Sequence, residues 1–88
     1  MAQKVGGELT SMKGLKKSLD TNANRATELK NAVRSQLANT VWEGPAATRF
    51  REAWKSEFEP ALLKLTEALN EAGNEVQRRH DALERAGS

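Results

Sequence analysis

Val5, Met12, Leu19, Ala26 and Val33 stand seven residues apart, and Leu15 and Leu29 fill the three-residue offset between them. A repeat of seven is two turns of α-helix, and no strand can satisfy it, because the faces of a strand alternate every second residue. The first half is therefore expected to be one helix with an apolar stripe, widened by Leu9, Ala23 and Leu37. The second half repeats the pattern in three lines: Phe58, Leu65 and Ala72; Trp54, Ala61 and Ala68; and Leu62, Leu69, Val76 and Leu83. Three positions in seven are apolar, whereas a strict two-helix seam needs only about two in seven, so each helix should touch more than one neighbour. Composition agrees. Ala, Leu, Glu, Lys, Arg and Gln dominate, isoleucine and tyrosine are absent, and β-branched residues are sparse.

Two stretches challenge helical continuity. Asp20-Thr21-Asn22-Ala23-Asn24 groups four poor helix formers, but the seven-residue spacing from Leu19 to Ala26 crosses it undisturbed, with Asn22 as a polar residue on the seam. Pro60 deletes a backbone donor and crowds the turn before it, which predicts curvature and not an end to the second helix. The true break lies at Asn39-Thr40-Val41-Trp42-Glu43-Gly44-Pro45. Glycine accepts the positive φ that follows a helix, and proline suits the first position of the next one. The chain is expected to be a single domain over residues 1–88, with helix 1 at about 8–41, a turn at 42–45 and helix 2 at about 45–84. Centring the reversal on that turn makes residues at equal height sum to about 87, since both helices rise about 1.5 Å per residue. Leu37 then faces Phe50, Val33 faces Trp54, Leu29 faces Phe58, Leu15 faces Ala72, and Gly14 lies level with Gly73.

Length limits what this architecture can bury. Two helices of this size make a rod about 50 to 60 Å long and two helices thick, in which a wide stripe stays partly wet. The sequence has no cysteine, so disulfides and thiolate zinc sites cannot supply the missing support. Burial against a partner remains, and the expected fold class is all-α, an antiparallel two-helix hairpin that dimerises into a four-helix bundle. Its packing residues would be Met12, Leu15, Leu19, Leu29, Val33 and Leu37 on helix 1, and Phe50, Trp54, Phe58, Leu62, Leu65, Leu69 and Val76 on helix 2. Residues 1–41 carry seven Lys+Arg against three acids (+4), and residues 42–88 carry seven against nine (−2), which gives the net +2. This asymmetry favours pairing of the halves only modestly, because exposed ion pairs contribute roughly 0 to 1 kcal/mol each. No uncharged run reaches the ~20 apolar residues of a membrane span, and the opening residues lack the apolar stretch of a cleaved signal peptide.

Trp42-Glu43-Gly44 is a Trp-x-Gly tripeptide near the middle of a chain slightly under a hundred residues, flanked by two amphipathic helices. In this the sequence resembles, over essentially its whole length, the WXG family of small type VII secretion substrates, also called early secreted antigen-like proteins. The resemblance implies a helical hairpin that dimerises with itself or with a homologous WXG partner. It also implies synthesis in the bacterial cytoplasm and export in folded form by a membrane ATPase complex, without a cleaved signal peptide. The turn motif is Trp42 and Gly44. The family's C-terminal export motif is Tyr-x-x-x-Asp/Glu, and in its place this chain has His80-Asp81-Ala82-Leu83-Glu84, so His80 and Glu84 become the candidate export signal. They lie one helical turn apart. The bland reading is an ordinary surface pair near the terminus. Phe50, Trp54 and Phe58, four apart, are read as packing residues of one helix face.

Catalysis is not expected. A lone histidine without cysteine or tyrosine leaves few nucleophiles or bases, and neither a phosphate loop nor metal-ligand spacing is present. No cofactor, metal or small-molecule substrate is expected. Glu67, Glu71 and Glu75 repeat every four residues and read as a solvated face. Two rivals remain: an intracellular helical adaptor, and a weak nucleic-acid binder using Lys13, Lys16, Lys17, Arg25, Lys30 and Arg34. Membrane association of the first helix would require opening the bundle.

Overall fold

The structure, a computed structural model, describes residues 2–87, and the side chains of residues 5–87. Met1 and Ser88, the ends of the expected domain, lie outside the described residues. The architecture is all-helical. Helix α1 runs Ala2–Ala38, α2 runs Pro45–Ala53, a π-helical turn occupies Trp54–Phe58, and α3 runs Glu59–Gly87. Only residues 39–44 of the described chain are not helical. Helix 1 starts earlier than the expected residue 8 and stops before the expected residue 41. At its end Thr40 folds back on the last turn, its hydroxyl donating to Gln36 O at 2.6 Å beside the Asn39 N–H that bonds the same carbonyl, which closes the helix.

Gly44 begins the second helix with φ 107° and ψ 176°, a conformation open almost only to glycine. Pro45 takes the first helical position, where its missing donor costs nothing. Pro60 has its effect one turn earlier. Because it has no N–H to offer and its ring crowds the preceding turn, the backbone widens, and the Glu59 N–H bonds Trp54 O five residues back. The helix thus continues through the proline by inserting a π turn.

Helix α1 packs along α3, whereas α2 has no comparable contact with it. The two long helices run in opposite directions. Arg34 pairs with Glu59, a Cβ on Gly73 would lie 3.8 Å from Leu19 Cβ, and one on Gly87 would lie 3.8 Å from Val5 Cβ. These pairs sum to about 92, not the 87 expected, so the helices are displaced by about one and a half turns from the sequence-derived register. Gly73 accordingly lies against Leu19 and Asp20, while Gly14 faces open space. With facing residues summing to about 92, Ala38 stands level with Trp54, so α2 overhangs the end of α1, and the rod reaches 66 × 17 × 12 Å.

The shaft is built on small residues. Ala23, Ala26 and Gly73 are buried, and they let the backbones approach closely. No large side chain among the described residues is fully buried. Leucines flank the contact and do not fill it, so the two helices cover only part of their apolar stripes.

Candidate functional site

The overhanging end of the rod is held together by the connection lying back on α2. The guanidinium of Arg51 donates to Trp42 O at 2.8 Å and to Thr40 O at 3.0 Å, so one planar fork fixes two carbonyls that no helix satisfies. The Trp42 ring meets Phe50 at 5.7 Å between centroids, Phe50 meets Phe58 at 6.3 Å, and Trp54 meets Phe58 at 6.4 Å. All three contacts are tilted, as ring quadrupoles prefer. Beneath this row Ala47 has no exposed surface. At the tip Val41 is almost fully exposed and Trp42 is 41% exposed. The Trp-x-Gly motif is therefore a rigid display, with Gly44 making the bend and Trp42 held partly in solvent.

Beside the tip, α1 and the second helix frame an open groove of about 430 Å³, lined by Arg34, Leu37, Ala38, Thr48, Arg51, Glu52, Trp54, Lys55 and Glu59. Arg34 holds the Glu59 carboxyl below the usual range, chiefly through their hydrogen bond, and Glu59 in turn raises Arg34. The Trp54 indole N–H also favours the charged form of Glu59, although it makes no hydrogen bond of good geometry.

The candidate export residues separate. His80 is only 4% exposed; its Nδ1 lies 3.1 Å from Asp81 Oδ1, and its buried Nε2 has no partner. Its ring faces inward, so His80 is a buried residue and not the surface residue that an ordinary pair with Glu84 supposes. Glu84 is exposed one turn further on. The hydrogen bond from His80, with help from Gln77, keeps Asp81 below the ordinary carboxylate range. The spacing Val76, His80, Leu83 placed this histidine on the apolar stripe, and that signal was available in the sequence.

Of the expected packing residues, Met12, Leu19, Val33, Leu37, Trp54, Leu62, Leu69 and Val76 are half-buried, while Leu15, Leu29, Phe50, Phe58 and Leu65 stay exposed. The exposed set is not scattered. At about 100° per residue, and with Ala23 facing α3, Leu15, Asn22 and Leu29 all point about 80 to 120° to one side. With Gly73 facing α1, Leu65, Ala72 and Ala61 point about 80 to 120° in the same rotational sense. Because two right-handed helices here run in opposite directions, equal offsets fall on the same flank of the rod. Between Ser11 and Gln36 of α1, Arg25 is the one charged residue on this flank, and between Ala61 and Ala72 of α3 there is none, while Glu75 and Arg79 fall on it further along α3. Lys13, Lys17, Asp20, Glu67, Arg78 and Asp81 lie on the other flank. In a chain with 30% charged residues, a flank this poor in charge with exposed leucines is the surface most suited to burial.

No protein-family model, no curated protein and no solved structure matches this chain. Among the described residues no helix is long and apolar enough to cross a membrane.

Proposed function

We propose that the protein is a non-enzymatic secretion substrate, or secretion partner, of the type VII class, which works as a helical hairpin joined to a second hairpin in a four-helix bundle. The second hairpin is another copy of the chain or a homologous WXG partner, with the copy favoured. The observation that carries this reading is the flank poor in charge with Leu15, Leu29 and Leu65 about half exposed, which a single hairpin leaves uncovered and a second hairpin can cover. The Trp42–Gly44 tip and the C-terminal segment with Glu84 are then the recognition elements read by the export machinery. His80 contributes from beneath, by fixing how α3 sits on α1.

The reading is tested by comparing export of the wild type with that of Trp42→Ala and Glu84→Ala in the host. Loss of the extracellular protein with unchanged intracellular amounts supports the assignment. Equal amounts outside the cell for all three would remove both residues from the site. Retention of the wild type in the cytoplasm would favour an intracellular adaptor built on the same bundle.

A further inference from the structure

The flank opposite the exposed leucines of α1 carries a second surface of a different kind. With Gly73 facing α1, Leu63 points about 80° to the side away from Leu65, and it is 47% exposed. On this side the groove beside the tip runs on into a smaller one of about 170 Å³ bordered by Lys30, Pro60 and Leu63, and the two share Arg34, Lys55 and Glu59. Together they form one open trough from Thr48 to Leu63, about 20 Å long, with Leu37, Trp54 and Leu63 supplying apolar surface along it.

The trough is cationic on both walls. Lys30 and Arg34 stand on the α1 side, and Arg51 and Lys55 on the other. Against these four cations it holds two carboxylates, Glu52 and Glu59, so two positive charges are left over. Glu59 is taken by Arg34. Arg51 gives its guanidinium to the neutral carbonyls of Thr40 and Trp42, which leaves its charge in place, and Lys55 makes no ion pair among the described residues. A compact ligand does not match so long and open a trough. An extended peptide would find few main-chain partners in it, because the walls are helices whose backbone groups bond largely to one another. A helix brings its own backbone bonds and needs only side-chain contacts.

We propose that the trough is the docking site of an amphipathic helix from another protein, laid with its apolar stripe on Leu37, Trp54 and Leu63 and bearing carboxylates along both borders of that stripe. Those on one border meet Lys30, and those on the other meet Arg51 and Lys55. Charge complementarity thus selects an acidic helix over a basic one. The site lies off the flank assigned to the second hairpin, so it does not depend on the bundle.

The test uses the full chain and two synthetic helical peptides of about 15 residues that share one leucine stripe and carry either glutamate or lysine on both borders. In Trp42→Phe, the background for all variants, Trp54 is the only tryptophan, and its emission reports binding. The glutamate peptide should bind about tenfold more tightly than the lysine peptide at low salt, and the preference should shrink as salt is added. Lys30→Glu/Lys55→Glu should abolish the preference. Lys13→Glu/Lys17→Glu, with the same change in net charge further along α1, should keep it. Equal binding of the two peptides, or the same loss in both double variants, overturns the proposal. Sedimentation separates it from the bundle reading: a monomer that still selects the glutamate peptide removes the second hairpin and keeps the trough. A lower sedimented mass for Lys30→Glu/Lys55→Glu than for its parent means that another copy of the chain fills the trough, which rules out the foreign helix.

Discussion

The shaft and the tip of this rod are stabilised in different ways. The shaft joins α1 to α3 through Ala23, Ala26 and Gly73, side chains so small that cohesion comes from close approach along many turns. The tip has almost no help from α1. It relies on one arginine fork, a row of tilted rings and a glycine bend. A distributed contact is sensitive to added volume at any level, whereas a local one depends on a few directional groups. This difference separates the surfaces as well: the shaft exposes a long flank poor in charge, and the tip exposes one tryptophan held by its contacts with Phe50 and Arg51.

Substitutions can break this contrast in order of expected size. The largest effect is expected from Ala23→Leu, because Ala23 is 1% exposed and overpacking such a site costs about 1 to 3 kcal/mol. Thermal unfolding followed at 222 nm should show the whole helical signal melting earlier; an unchanged midpoint would mean that the shaft is loosely packed. Gly44→Ala should cost about 1 to 2 kcal/mol, since it forces a side chain into φ 107°. Its effect should be confined to the tip, so hydrogen exchange should quicken in residues 40–50 before α1 and α3 are affected. Arg51→Ala removes two hydrogen bonds to exposed carbonyls and should cost about 1 kcal/mol, with a red shift of tryptophan emission. Arg51→Lys should not restore the emission, because an ammonium cannot bridge both carbonyls as the fork does.

The smallest expected effect is electrostatic. Glu59 is held below the ordinary value of 4.5 by Arg34, so its charged form is favoured in the folded chain. The stability that follows is fully present above pH 4.5 and is lost as the pH falls through the lower folded value. Glu59→Gln should therefore melt slightly earlier than the wild type at pH 7, and the difference should close in acid. A gap that widens in acid would contradict the assignment. Because the Arg34 side chain is 59% exposed, the pair sharpens the contrast between shaft and tip without deciding it.

Much of this was legible in the sequence, and the reasons for the rest are physical. The repeat of Val5, Met12, Leu19, Ala26 and Val33 dictated a helix, Gly44–Pro45 dictated its end, and the four-residue spacing of Phe50, Trp54 and Phe58 anticipated the row of rings. Register was not legible. A heptad stripe fits a partner stripe equally well after any slide of three or four residues, so spacing alone could not choose between a sum of 87 and the 92 observed. Spacing named the large stripe residues, eight of which are half-buried, but did not show that the fully buried positions of the shaft are Ala23, Ala26 and Gly73. Pro60 signalled a distortion, but whether a kink or a π turn absorbs it depends on the packing of Trp54 and Phe58. The inward turn of His80 followed from the stripe through Val76 and Leu83, and was obscured by reading the residue as a surface ring.

A second hairpin is proposed to cover the flank of the shaft that carries Leu15, Leu29 and Leu65. Sedimentation equilibrium of the wild type and of Leu29→Asp, across a range of concentrations, tests it most directly. The account predicts twice the chain mass for the wild type, and a monomer of reduced thermal stability for Leu29→Asp. A wild type that stays monomeric at every concentration, with full helicity and a melting point independent of concentration, would contradict it.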